Sequence, residues 1–141
     1  MSSDWGSQMS EVPAVLQALR VRATSDPKRI VLSEGDDPRV IAAAISARDV
    51  GMAQISVVGD AAKVQALLDD AGDDGTGITI HDPATSPLTP ELETKLVELR
   101  GHKGMTPEKA AVQVQNRLVF AALLVRTGHA DGTVGGAVET T

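Results

Sequence analysis

Apolar positions recur along this chain with two different periods, and the two alternate. Between Glu11 and Thr24, Val12, Val15, Leu16 and Leu19 fall three or four residues apart. That spacing predicts a helix with one apolar stripe, with Pro13 tolerated in its first turn. Arg29-Ile30-Val31-Leu32-Ser33 then forms a short apolar run of strand length. A second helix is well punctuated: Asp37 can cap its start, Pro38 suits the first helical position and Gly51 suits a left-handed stop. Within it Ile41, Ala44, Ile45 and Arg48 share a face. Ile55 to Val58 reads as a strand that stops at Gly59. Asp60 can cap a third helix, whose stripe is Val64, Leu67, Leu68 and Ala71.

After the polar loop Asp73 to Gly77, Ile78-Thr79-Ile80 is a third strand. Asp82-Pro83 and Ser86-Pro87 mark a turn-rich connector. Thr89 and Pro90 open a helix with Leu92, Leu96 and Leu99 inward. Thr106 and Pro107 open a further helical stretch towards Gly128, broken near Asn116. Its second half, LVFAALLVR, is apolar nearly all round, which implies a helix buried on more than one side or one awaiting an absent partner. Thr133-Val134 reads as a short buried strand, and Gly135-Gly136 as a tight turn or a close backbone approach. Strands joined by helices of 10–15 residues imply parallel βαβ units with right-handed crossovers. The expected fold is therefore α/β, a three-layer αβα arrangement on a mostly parallel sheet. Residues 1–10 read as a flexible tail, and the α/β domain as 11–141.

Composition narrows the function classes. The 141 residues are 42% hydrophobic and 23% charged, the balance of an ordinary globular domain. Trp5 and Phe120 are the only aromatics, so the core must be built from Val, Leu, Ile and Ala, and there is no stacking platform for single-stranded nucleic acid. The net charge is −6 and no basic block interrupts it, which argues against nucleic-acid partners. Charge is nevertheless uneven. Acids dominate residues 60–98, whereas Arg100, Lys103, Lys109, Arg117 and Arg126 face Glu108 alone between 100 and 129. A local positive region on an acidic protein suits a small anionic ligand, or simply a solvated helix face. With no cysteine there is no disulfide scaffold, thiolate metal site or cysteine nucleophile. The polar N-terminus, MSSDWGSQMSE, has no apolar signal core, and no run reaches the ~18 apolar residues of a membrane helix. Cytoplasm is the expected location, with no membrane partner.

Three stretches could carry chemistry. LSEGDDPRV, residues 32–40, sits where a strand gives way to a helix, the side on which open parallel sheets bind ligands. Its acids already occupy that helix start, so capping and turn chemistry is the plainer reading. ELRGHKGM, residues 98–105, displays Arg100, His102 and Lys103 between Gly101 and Gly104. A guanidinium fork and a mobile ammonium suit a phosphate; the plainer alternative is a basic helix end matching the dipole. DGTVGGAVETT, residues 131–141, is neither G-x-G-x-x-G nor a GK[ST] loop, so no nucleotide motif is present. His81, His102 and His129 lack metal-ligand spacing, and no metal site is expected.

The order of motifs carries a further reading. RIVLSEGDDPRV, ISVVGD, IHDPATSP, ELRGHKGMTPEKA, LVFAALLV and GHADGTVGGAVETT, in that order over residues ~29 to 141, resemble the phosphate acetyltransferase family, whose relatives include phosphate butyryltransferase. The resemblance implies two α/β domains, like those of the isocitrate and isopropylmalate dehydrogenases, with a cleft between them, usually in a homodimer. It implies acetyl transfer between acetyl phosphate and coenzyme A (acetyl-CoA as the other substrate), with no bound cofactor. The implied chemistry is attack of the coenzyme A thiol on the acyl carbonyl, with a base taking the thiol proton. By resemblance the substrate-binding residues are Arg100, His102 and Lys103 from the L-R-x-H-K-G motif, Gly136 from V-S-G-A, and the hydroxyls of Thr140 and Thr141. His102, Lys103 and Gly104 are carried over as shapers of the loop.

Ser33 stands where the family commonly has proline, Gly135 where it has serine and Glu139 where it has histidine. The family's general base, with further binding groups, belongs to a second domain that has no counterpart in this sequence. The catalytic residue is therefore unassigned, and this chain alone is expected to be inactive. Two alternatives remain open: a stand-alone binding, regulatory or dimerisation module, and the acyltransferase-like domain of an NADP-dependent malic enzyme.

Overall fold

The computed structural model describes residues 12–138. The tail expected at 1–10, and the candidate residues Thr140 and Thr141, lie outside the described residues. The elements follow in the order α1 (Ala14–Ser25), β1 (Lys28–Leu32), α2 (Pro38–Val50), β2 (Ala53–Val58), α3 (Ala61–Asp70) and β3 (Ile78–His81). Then come α4 (Thr89–Arg100), a short 3-10 turn (Gly101–Lys103), α5 (Pro107–Gln113), α6 (Arg117–Arg126) and β4 (Gly132–Val134).

The four strands form one parallel sheet in the order β3-β2-β1-β4. The register aligns Ile30, Ile55 and Ile78 across β1, β2 and β3, and Leu32, Val57 and Ile80 one pleat further. That face packs on α2 and α3, around the buried Ile41, Ala44, Val64 and Leu68. Val31 and Val58 point to the opposite face, into a core built with Leu92 and Leu96 of α4, Ala110 of α5 and Phe120, Ala121 and Leu124 of α6. Helices therefore cover both faces, giving the three layers.

The punctuation read from the sequence operates as expected at several ends. The Asp37 side chain accepts from Arg39 N, Asp60 from Lys63 N, and Thr106 from Lys109 N. Gly51 closes α2 at φ 77. The break near Asn116 is a helix boundary, where the Asn116 carboxamide caps the start of α6. The apolar α6 run packs against α4, β4 and β2, and its Phe120, Ala121, Leu123 and Leu124 are buried.

The expected first helix forms, but no described residue of it is buried; Val15 and Leu19 are 66% and 51% exposed. Periodicity locates an apolar face without supplying its cover. One expectation fails: Thr133-Val134 is a strand but not a buried one, because β4 is the sheet's edge and pairs only with β1 among the described residues.

Candidate functional site

The chain steps from β1 to β2 to β3 in one direction and then returns to the far side of β1 to form β4. Segments leaving β1 and β4 therefore diverge, and the gap outside their carboxyl ends is where open α/β sheets place ligands. Here that gap is a cavity of about 340 Å³ lined by Glu34, Asp36, Asp37, Asn116, Arg117, Leu118 and Val138.

Its walls are bonded to one another. Ser33 N donates to Val134 O at 3.1 Å, extending the β1–β4 ladder by one step. The next side chain, Glu34, is 5% exposed. Its Oε1 accepts from the N–H of Gly136 at 2.6 Å and of Ala137 at 2.7 Å, and its Oε2 from Val138 at 2.7 Å. Gly136 turns through φ 97, a conformation that favours glycine. Asp36 receives a two-pronged bond from Arg117 at the start of α6. Its carboxylate passes over Gly59, where an added Cβ would sit 2.3 Å from Oδ1. Asp37 caps α2 and also takes Arg39, whose side-chain bond is the leading cause that lowers the Asp37 carboxyl to about 2. Arg39 in turn donates to Ala137 O at 3.1 Å.

Gly135 is the close approach expected of the Gly-Gly pair. A Cβ there would lie 2.2 Å from Ser33 Oγ and 2.9 Å from Leu118 Cδ2. Two of the three positions read as departures from the family motif, Ser33 and Gly135, are thus one contact: the serine hydroxyl occupies the space a side chain at 135 would need.

A second cavity, of about 460 Å³, lies on the other side of α6's first turn, where Val119 lines it as Leu118 lines the first. Arg100, Lys103 and Lys109 form its cationic rim, with Gly104, Leu96, Met105, Gln113 and Val119 completing the lining. The α4 helix runs into a 3-10 turn that Gly104 ends at φ 89, and Met105 N bonds back to Arg100 O. That short reversal places Arg100 and Lys103 beside Lys109 of α5. Among the described residues no carboxylate lines this pocket, and the Arg100 and Lys103 side chains enter no ion pair. By contrast Arg29, Arg39, Arg48 and Arg117 are all paired with aspartates. Clustered cations without counter-charge attract an anion, most strongly one with several negative oxygens.

The sequence pattern of the family described as Phosphate acetyl/butaryl transferase matches residues 14–141. The chain belongs to this family. It is 40% identical over 119 residues to a phosphate acetyltransferase of Clostridium acetobutylicum, covering 84% of this chain and 36% of that protein. It is 39% identical over 130 residues to one from Haemophilus influenzae, covering 92% of this chain and 18% of that protein. Among solved structures it resembles the EutD phosphotransacetylase from Staphylococcus aureus, with TM-score 0.81 and 36% identity over 89% of this chain and 38% of the other. It also resembles a phosphotransacetylase from Streptococcus pyogenes, with TM-score 0.85 and 30% identity over 91% and 39%. The chain thus spans well under half the length of the relatives it matches.

Within this chain the expected site residues separate. Arg100 and Lys103 meet in the cationic pocket; His102 is exposed and is not among that pocket's lining. Gly136 lines neither cavity; it lies in the segment beyond β4, with its N–H held by Glu34, which lines the first cavity. Lys109 in the pocket, and Glu34, Asp36 and Arg117 around the crevice, were missed as site residues. The basic balance of residues 100–129 included Lys109, but nothing local marked Glu34 as more than part of a capping turn. No described helix is long and apolar enough to cross a membrane.

Proposed function

We propose that this chain forms one wall of an acyltransferase cleft that transfers acetyl groups between acetyl phosphate and coenzyme A. The observation that carries the reading is the pocket of Arg100, Lys103 and Lys109 in a chain of this family. Three cations can hold a phosphate and stabilise charge that develops as the thiol attacks the acyl carbonyl. Arg100 supplies the planar fork, and the two lysines supply point charges. Acetyl phosphate and coenzyme A are the substrates of this reading, with a homodimer in the cytoplasm as its setting. The exposed stripe of α1 is apolar surface that such an assembly can cover.

Among the described residues the chain supplies binding groups but no free base. Glu34, Asp36 and Asp37 in the crevice already accept hydrogen bonds from backbone or arginine donors, and no carboxylate lines the cationic pocket. We therefore expect the 141-residue chain to bind acetyl phosphate and to turn over negligibly. A coupled assay of acetyl-CoA formation tests the second half: turnover comparable to a full-length relative refutes it. Acetyl phosphate titration of the wild type and Arg100→Ala tests the first half, since equal affinity removes Arg100 from the site.

A further inference from the structure

Parallel neighbours β1 and β4 end level, with Leu32 paired to Val134, and the Glu34 side chain ties together the segments beyond them. Three consecutive N–H groups, from Gly136, Ala137 and Val138, converge on the Glu34 carboxylate. Consecutive backbone N–H groups gathered into a concavity form an anion receptor. In this protein the receptor holds an anion tethered to the chain itself, since Glu34 is 5% exposed and its two carboxylate oxygens sit 2.6–2.7 Å from the donors. Nearby carbonyls are fixed from the end of β1 and from the first turn of α2. Ser33 N holds the Val134 carbonyl and Arg39 holds the Ala137 carbonyl.

We infer that Glu34 is the positioning residue of the crevice, a built-in carboxylate that templates the Gly136–Val138 wall and keeps its backbone donors from an incoming anion. Two consequences follow from the geometry. Phosphate is directed to the uncommitted cations of the neighbouring pocket, because the crevice donors are already engaged. The receptor is also specific for a small carboxylate: Glu34→Ala deletes a CH2–COO⁻ unit, which is the size of acetate, and leaves the three N–H groups facing the space. Acetate or formate should then enter and restore the wall.

Amide hydrogen exchange at Gly136, Ala137 and Val138, read by NMR on the full 141-residue chain, tests this. In the wild type these amides should be protected and indifferent to acetate. In Glu34→Ala their exchange should rise roughly tenfold or more, the factor expected for losing an acceptor. Saturating acetate or formate, but not chloride at equal ionic strength, should reverse the rise. Unchanged exchange in Glu34→Ala, or a rise that neither carboxylate reverses, overturns the inference. So does a wild-type chain whose 136–138 amides are the ones perturbed by inorganic phosphate. If Glu34→Ala does not fold, Glu34→Gln keeps the shape while replacing one acceptor oxygen by NH2. Exchange should then quicken within the 136–138 triad while Val57 in the core stays protected, and an unaffected triad overturns the inference. The readout is independent of acetyl transfer, so it stands or falls separately from the proposed activity.

Discussion

The two cavities beside the first turn of α6 use charge in opposite ways. In the crevice between β1 and β4, carboxylates and arginines satisfy one another and the backbone: Glu34 with three N–H groups, Asp36 with Arg117, Asp37 with Arg39. In the neighbouring pocket Arg100 and Lys103 are spent on nothing described, and Lys109 reaches only the Gly104 carbonyl at 3.4 Å. The difference teaches where stability and ligand binding reside. Paired groups contribute to holding the fold, and removing one leaves its partner stranded. Unpaired exposed cations add little to folding and are available to a ligand. Substitutions in the crevice should therefore move stability first, and substitutions in the pocket should move binding first.

The sharpest break is expected at Gly135. A methyl group there meets Ser33 Oγ and Leu118 Cδ2, both closer than real Cβ contacts allow. Overpacking of this kind costs about 1–3 kcal/mol. Gly135→Ala should lower the urea midpoint accordingly. Because the nearest obstacle is a single hydroxyl, Ser33→Ala should recover part of the loss, and a double-mutant cycle measures the coupling. Strictly additive effects would mean that Ser33 is not the obstacle.

A smaller loss is expected from Arg117→Ala, which removes the partner of Asp36. The Arg117 side chain is 40% exposed and the Asp36 side chain 21%, so solvent screens the pair and the cost should stay near 1 kcal/mol. Chemical denaturation reads it. A stability equal to wild type would show that Asp36 is equally well served by water, and would weaken the picture of a crevice held by its own pairs.

How much of this contrast the sequence revealed depended on the reach of each bond. The α2 cap, the Gly51 stop and the Asn116 break are made within a few residues, and local residue types announced them. The loop after α4 was legible for the same reason, since Arg100, Lys103 and the turn glycines are adjacent. Glu34 was hidden in a motif that reads as capping, because its bonding partners lie 102–104 positions downstream. The Asp36–Arg117 pair spans 81 positions. Such contacts depend on strand order, which alternation of helices and strands does not specify. The α1 stripe shows the converse limit: its period locates a helix but says nothing of what covers it.

Acid should separate the two regions by sign. Asp37, Asp73 and Asp131 are each held at about 2, chiefly by side-chain bonds from Arg39, Arg48 and Arg29 respectively. Carboxylates depressed in the folded state contribute stability that is fully present above their unfolded value, near 3.9. That contribution is lost as pH falls from about 4 towards 2, where the unfolded chain binds more protons. Thermal midpoints should therefore be insensitive to these groups between pH 5 and 7 and should fall below pH 4. Asp37→Asn should blunt the fall. An equally steep acid transition in that variant would remove Asp37 from its causes. Lys109→Gln removes none of these aspartates or their arginine partners, so it should leave the acid transition where it is.

The smallest effect on stability, and the one that best isolates binding, is expected in the pocket itself. Arg100→Ala and Lys109→Gln remove charges that no described carboxylate pairs with, and exposed substitutions of this kind usually stay within about 0.5 kcal/mol. Removing a like-charged neighbour can even relieve repulsion among the three cations. Inorganic phosphate affinity should fall in both variants, more for Arg100, whose fork makes two parallel bonds where a lysine makes a point contact. Lys109→Arg should retain affinity, because charge at that position matters more than shape. The decisive measurement pairs a denaturation curve with a phosphate titration on each variant. A pocket variant that loses stability while binding phosphate as before would reverse the contrast, placing Arg100 and Lys109 among the groups that hold the fold.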